Sequence, residues 1–208
     1  MNYLAHLYLA DRDKFSIIGN LMGDFRRHLK GRTLPEAVMV GIENHRRVDK
    51  FTDGHTEVLG LKGCFSRKRR RFAGIILDLA FDHFLAVHWE RYSMEPREDF
   101  IGYCYSCLWD GMDLMPERMQ RTVDYMIRED WLASYRDLSG IDVALNRLSR
   151  RIRFDNHLEG AAEEIESNYA LIEAGFLAFF PELVKYINNG QGHISPIPPD
   201  MNAGCHLL

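Results

Sequence analysis

Apolar and polar residues along this chain keep helical spacing; strand-like alternation is nowhere sustained and no segment repeats. Pro35 followed by Glu36 reads as a first helical turn, and the helix it opens runs to about Asp53. The richest apolar stretch, Ile75 to Leu85, is hydrophobic on every face, which predicts a central core helix over about Phe65 to Tyr92. Pro96 and Pro116 mark the starts of two further helices. Ser139-Gly140-Ile141-Asp142 resembles a capping box with Asp in the place usually held by Glu or Gln. A last long helix is expected over about Leu158 to Asn188, kinked or split at Pro181. Beyond Asn189 the composition turns to Gly, Pro, Ser and Asn, so 190–208 reads as a flexible tail that carries Cys205. The expectation is one all-α domain over 1–189 followed by that tail.

A chain of 208 residues, 46% hydrophobic and 27% charged, is long enough for one sizeable core and has an ordinary globular composition. Its formal charge of −4 gives no general affinity for nucleic acid, and no nucleic-acid-binding module is recognisable. The basic residues are unevenly placed: Arg67-Lys68-Arg69-Arg70-Arg71 is an unbroken run, and Arg26, Arg27, Lys30 and Arg32 form a looser group. Such runs are either solvated faces or docking surfaces for an acidic partner. Cys104 and Cys107 form a lone C-x-x-C without the second pair a zinc ribbon needs, and the region reads as helical, so buried thiols in a reducing cytosol are expected. The first residues lack a basic signal-peptide region, and no apolar run reaches the roughly 18 residues of a membrane span. The expectation is therefore a cytoplasmic protein without a membrane segment. Nothing in the sequence sets its oligomeric state.

Within the apolar run stand Asp78 and Asp82, four apart and so one turn apart on the same helix face. Two bare carboxylates in apolar surroundings require a positive partner, either a divalent metal or an arginine such as Arg46 or Arg47. Three other polar residues sit in or beside apolar segments. His6 lies in Leu4-Ala5-His6-Leu7, where it is a satisfied core histidine or a ligand, and Asp24 follows Gly23 as a helix cap or a ligand. His45 and Asp49 share a helix face at i, i+4, as either a ligand with its orienting carboxylate or a surface ion pair. His83 points about 100° away from Asp82 on a helix. Histidines and aspartates drawn from several helices suit hard or borderline divalent ions that activate water for phosphate-ester hydrolysis. No P-loop, G-x-G-x-x-G or G-x-S-x-G is present, which removes support for nucleotide-binding folds and serine hydrolases.

Several segments resemble the acyl carrier protein phosphodiesterase family in order: Met1 through Ala10, Gly19 through Phe25, His45 through Asp49 with Thr52-Asp53, Asp78 through Leu85, then Trp131-Leu132 and Tyr135-Arg136-Asp137. The resemblance implies an all-α fold related to HD-type metal-dependent phosphohydrolases and a manganese cofactor. It implies hydrolysis of the phosphodiester that joins 4'-phosphopantetheine to a serine of holo acyl carrier protein, within fatty acid biosynthesis. On this reading Asp24, His45, Asp78 and Asp82 hold the metal, His6 adds or orients a ligand, and Asp49 or His83 manages a proton or orients a ligand. Arg46 or Arg47 neutralises the phosphate. Arg26, Arg27 and the run Arg67, Lys68, Arg69, Arg70 and Arg71 receive the acidic carrier, the run lying about 10–17 Å before Asp78 along a helix axis. The family's His-Asp dipeptide is reversed here as Asp82-His83, which leaves the choice of ligand between them open. Two competing readings are a phosphohydrolase acting on a nucleotide or other small phosphoester, and a non-enzymatic helical module that binds an acidic protein.

Overall fold

The computed structural model describes residues 1–189; the expected tail, 190–208 with Cys205, lies outside them. The described residues contain α-helices and short 3-10 turns and no strand. The helices are α1 Tyr3–Tyr8, α2 Lys14–Met22, α3 Glu36–Gly54, α4 Thr56–Leu61, α5 Ala73–Val87, α6 Arg97–Asp110, α7 Glu117–Arg128, α8 Trp131–Ser134, α9 Leu138–Arg151, α10 Ala162–Ser167 and α11 Tyr169–Asn188.

The centre is α5, as its all-round apolar sequence predicts. Ile76, Leu77, Ala80, Phe81, Phe84 and Leu85 are wholly buried. Phe81 packs against Phe176 and Phe179 of α11 at centroid separations of 5.7 and 5.4 Å. The helix is shorter than the expected Phe65 to Tyr92. Residues 62–72 turn instead, with 3-10 segments at Lys62–Cys64 and Arg70–Phe72, and a third at Trp89–Arg91 follows α5. The reason is tertiary. Arg69 is buried, donating to the carbonyls of His157 and Glu159, both at 2.8 Å, and to Glu164 at 2.7 Å. The Ser66 amide donates to the same glutamate at 2.8 Å. These ties hold the chain off the α5 axis until Ala73.

Other boundaries also move. The last helical stretch breaks at Asn168, between α10 and α11, where φ and ψ are −114° and 21°. Asn168 turns its side-chain amide back onto the Glu164 carbonyl at 2.8 Å. Pro181 sits inside α11 without ending it. The motif at Ser139 is no cap, because α9 already starts at Leu138 with Asp137 in the N-cap position. Cys104 and Cys107 are buried free thiols. No helix among the described residues is long and apolar enough to cross a membrane.

Two devices bring α1, α2 and α3 together beside α5. The first is a close crossing of α2 and α3: a Cβ on Gly19 would stand 2.3 Å from the Val38 carbonyl oxygen and 2.8 Å from the Gly41 Cα. The second is a buried amide relay. Asn44 donates to the Leu9 carbonyl at 2.8 Å and to Asn20 at 3.0 Å, and Asn20 donates to the Ser16 carbonyl at 3.0 Å. Each link satisfies a polar group in a low-dielectric interior, which fixes one arrangement of the three helices.

Candidate active site

Polar side chains from four elements converge at this junction: His6 from α1, Asp24 from the 3-10 turn Gly23–His28, His45 and Asp49 from α3, and Asp78 from α5. Asp49 bridges the two imidazoles, with His6 Nε2 at 3.1 Å from one carboxylate oxygen and His45 Nε2 at 3.1 Å from the other. Asp24 lies 3.7 Å from His45 Nε2. The His6 and His45 rings stack with centroids 3.8 Å apart. Gly23 makes room for this stack, since a Cβ there would lie 2.2 Å from His45 Cγ. Asp78 accepts from the Met1 ammonium at 2.9 Å, and that ammonium is 3.7 Å from Asp49. The cluster is thus one connected network.

Its electrostatics favour ligand-like protonation states. Burial drives the His6 imidazole down to about 3, so it is neutral at pH 7 and carries a free lone pair. The surroundings of Asp49 resist its charge, but hydrogen bonds from His45 and His6 outweigh them and hold its carboxyl far below the usual range. Burial also works against the Met1 ammonium, yet Asp78 and Asp49 raise it to about 10. Asp49 and Asp78 thus share a single ammonium, while Asp24 stands nearest to the His45 imidazole.

The donor set suits a divalent cation. One ligand atom each from His6, His45 and Asp49 lies within 4.8 Å of the others. The buried Nδ1 atoms of both histidines have no hydrogen-bond partner. Imidazole nitrogens and carboxylate oxygens together match manganese, iron or zinc. Asp24 lies next to this set, 3.7 Å from His45 Nε2, and Asp78 is joined to it through the Met1 ammonium.

The opening pair of carboxylates divides. Asp78 faces the cluster, whereas Asp82 is fully buried and accepts the Leu4 amide at 2.8 Å and the Ala5 amide at 3.1 Å. These are first-turn donors of α1, whose own N-cap residue makes no capping bond. Asp82 therefore anchors α1, and through it His6. Burial raises its carboxyl to about 7, against the pull of those two amides. His83 points elsewhere, with Nδ1 3.0 Å from the Tyr135 carbonyl and Nε2 3.1 Å from the Tyr169 hydroxyl. The positive partners of the pair are an ammonium and two backbone amides. Neither Arg46, paired to Glu43, nor Arg47, which donates to the Tyr186 carbonyl, reaches Asp78 or Asp82.

Asp24, His45 and Asp49 of the cluster form one wall of an open cavity of about 870 Å³. Arg26, Arg27 and Arg46 line it, as do Arg118 of α7 and Arg151 of α9. Of the basic run, Arg67, Lys68, Arg70 and Arg71 are exposed, and Arg71 lies over the Phe154 ring at 5.5 Å. Arg69 is turned inward and has no docking face to offer. Sequence reasoning did not single out Arg118, Arg151 or the Met1 ammonium. Each arginine stands among other charged residues, at Glu117-Arg118 and Arg150-Arg151, where no local signal separates a cavity wall from a solvated face.

The profile of the family described as acyl carrier protein phosphodiesterase matches residues 1–183. A protein of that name from Serratia proteamaculans is 37% identical over 195 residues, covering 92% of this chain and all of the relative. The Photorhabdus laumondii protein is 36% identical over 200 residues, covering 94% and 100%, and one from Escherichia coli O157:H7 is 37% identical over 186 residues, covering 88% and 96%. No solved structure gives a significant match. This chain belongs to the acyl carrier protein phosphodiesterase family.

Proposed function

We propose that this chain is a divalent-metal-dependent phosphodiesterase, using manganese, that removes 4'-phosphopantetheine from holo acyl carrier protein and leaves the apo carrier. The observation that carries the reading is the neighbourhood of the Asp49-bridged histidines and the arginine-lined cavity. His6, His45, Asp24, Asp49 and Asp78 would hold the ion. Bound there, the ion supplies a Lewis acid that lowers the pKa of water and offsets charge on a phosphoryl group. Asp49 keeps both imidazoles oriented, and Asp82 keeps α1 in register beneath His6. Arg26, Arg27, Arg46, Arg118 and Arg151 neutralise the non-bridging oxygens of the diester as charge builds on them. The exposed arginines at the cavity mouth also suit an acidic carrier protein, speeding its approach and setting its orientation. With that carrier as substrate, the reaction belongs to the cytosol and to fatty acid biosynthesis.

The test is incubation of the protein with holo carrier protein and manganese, followed by intact-mass measurement of the carrier. A decrease equal to the phosphopantetheine arm is expected. An unchanged carrier mass, in a preparation that cleaves small phosphodiesters, would turn the assignment toward a small-molecule substrate.

A further inference from the structure

The open cavity carries more positive charge than one phosphodiester can use. Its arginines come from four elements: Arg26 and Arg27 from the turn that holds Asp24, Arg46 from α3, Arg118 from α7 and Arg151 from α9. Arg46 is paired with Glu43. Arg26, Arg27, Arg118 and Arg151 form no ion pair among the described residues. A diester phosphate has a single negative charge and two non-bridging oxygens, and one guanidinium can engage two phosphate oxygens at once. One or two arginines therefore satisfy it. The other unpaired guanidiniums stand ready for further negative charge.

Tyr3 ties two of them to the histidine cluster. Tyr3 and His6 are three apart on α1, which makes them neighbours on its surface. The Tyr3 ring stacks on Trp131 at 6.4 Å, and that contact fixes its direction. The charges around its hydroxyl are Asp24, Arg151 and Arg118, with Arg151 within hydrogen-bonding reach. Burial pushes the Tyr3 hydroxyl up, so it stays neutral at pH 7 and takes up none of the arginine charge. Arg118 and Arg151 thus keep their full charge on the wall they share with Asp24.

Hydrolysis changes what this wall meets. The oxygen of water bonds to phosphorus, the serine oxygen leaves and takes a proton, and the diester monoanion becomes a phosphomonoester. The second proton of a phosphomonoester ionises near pH 6, so at neutral pH the product carries close to two negative charges and three acceptor oxygens. The site gains a charge and an acceptor at the moment the carrier is freed. One more hydrogen bond between charged partners is worth about tenfold or more in affinity.

We propose that Arg118 and Arg151 hold the released phosphomonoester more tightly than the diester, so that its departure sets the turnover rate and the product competes with the next carrier. This inference rests on the hydrolysis proposed above. Salt screens the contact between guanidinium and phosphate. Added salt therefore speeds release of the product while it weakens capture of the substrate.

The test has two arms, both on the manganese-loaded protein. In the first, calorimetry compares methyl phosphate with dimethyl phosphate. The wild type is expected to bind the monoester at least tenfold more tightly, and the gap is expected to narrow at least tenfold in Arg118→Gln/Arg151→Gln with manganese stoichiometry unchanged. In the second, stopped flow follows wild-type hydrolysis of bis(p-nitrophenyl) phosphate. A burst of nitrophenolate in the first turnover is expected, with kcat rising and kcat/KM falling as salt is added. A wild type with no burst and a kcat that falls with salt overturns the proposal, and this arm needs no variant to fold. So does a folded double variant that keeps the wild-type gap, since the metal alone would then set it. A protein that strips holo carrier but shows neither the monoester preference nor the burst keeps the substrate reading and loses the product hold. One that shows both on the small diester and leaves holo carrier intact does the reverse.

Discussion

His6 and His45, thirty-nine positions apart in the sequence, stack ring on ring at 3.8 Å and both turn Nε2 to the two oxygens of Asp49. One carboxylate thereby sets the orientation of two imidazoles from two helices. Asp49→Asn tests this directly. An amide can accept from one ring but presents its own N–H₂ to the other, so one histidine loses its partner. Removing such an orienting group typically costs about 10–100-fold in metal affinity, and at least that loss is expected in a manganese titration, with activity on any phosphodiester falling in parallel. Retention of wild-type affinity would show that the histidines are fixed by packing alone.

The different surroundings of Asp78 and Asp82 predict opposite phenotypes for the same substitution. Asp82 takes two backbone amides of α1 on its two oxygens. Asp82→Asn can satisfy one of these and confronts the other with a donor, which should destabilise by about 1–3 kcal/mol. Its manganese stoichiometry should be unchanged. Asp78→Asn removes a partly exposed carboxylate at the cluster and should weaken metal binding with a smaller change in denaturation midpoint. Chemical denaturation and metal analysis on both variants decide the matter, and a reversed pattern would make Asp82 the ligand.

How far this division was legible in the sequence depends on which forces set it. Helix periodicity alone places Asp78 and Asp82 on one face, and it pairs His45 with Asp49 correctly at i, i+4. The all-round apolar character of Ile75 to Leu85 likewise puts α5 at the centre. What periodicity cannot see is the partner across the interface. Asp82 belongs to α1 because that six-residue helix cannot cap itself, and the Met1 ammonium meets Asp78 because α1 docks there. Arg69 is one of five basic neighbours in sequence, yet only its guanidinium meets the carbonyls of His157 and Glu159. The end of α5 is set by the same long-range contacts. These are tertiary choices, carried by residues 77 to 90 positions away.

The opposed titrations of His6 and Asp82 give a pH signature in the metal-free protein. His6 is lowered from 6.5 to about 3 on folding. Between those values the unfolded chain binds more protons, so the contribution of His6 is full above pH 6.5 and is lost as pH falls through the window. Asp82 is raised from 3.8 to about 7, so its contribution is full below 3.8 and is lost as pH rises toward 7. From pH 5 to 6.5 the two slopes oppose each other, each limited to about 1.4 kcal/mol per pH unit. Relative to wild type, His6→Gln should gain stability on acidification across this window, and Asp82→Asn should lose it. Urea midpoints at several pH values measure both. Parallel profiles for all three proteins would contradict the assigned titrations.

The basic run offers the sharpest contrast between neighbours. Arg69 is buried with three acceptors, whereas Arg67, Lys68, Arg70 and Arg71 are exposed. Truncating one member of a buried ion pair leaves its partner uncompensated, at a typical cost of about 3–5 kcal/mol. Arg69→Ala should therefore lower the melting temperature by many degrees, leaving Glu164 with the Ser66 amide alone and taking the donor from two carbonyls. Alanine at Arg67, Lys68 or Arg70 should leave stability within about 0.5 kcal/mol of wild type, as surface substitutions usually do. If these exposed residues receive an acidic carrier, their combined replacement raises KM for holo carrier protein at low salt, spares hydrolysis of a small diester, and loses its effect as salt screens the wild type. Thermal melts separate Arg69 from its neighbours, and a salt series on the triple variant separates docking from mere solvation. An unchanged KM at every salt concentration would confine carrier recognition to the arginines of the cavity itself.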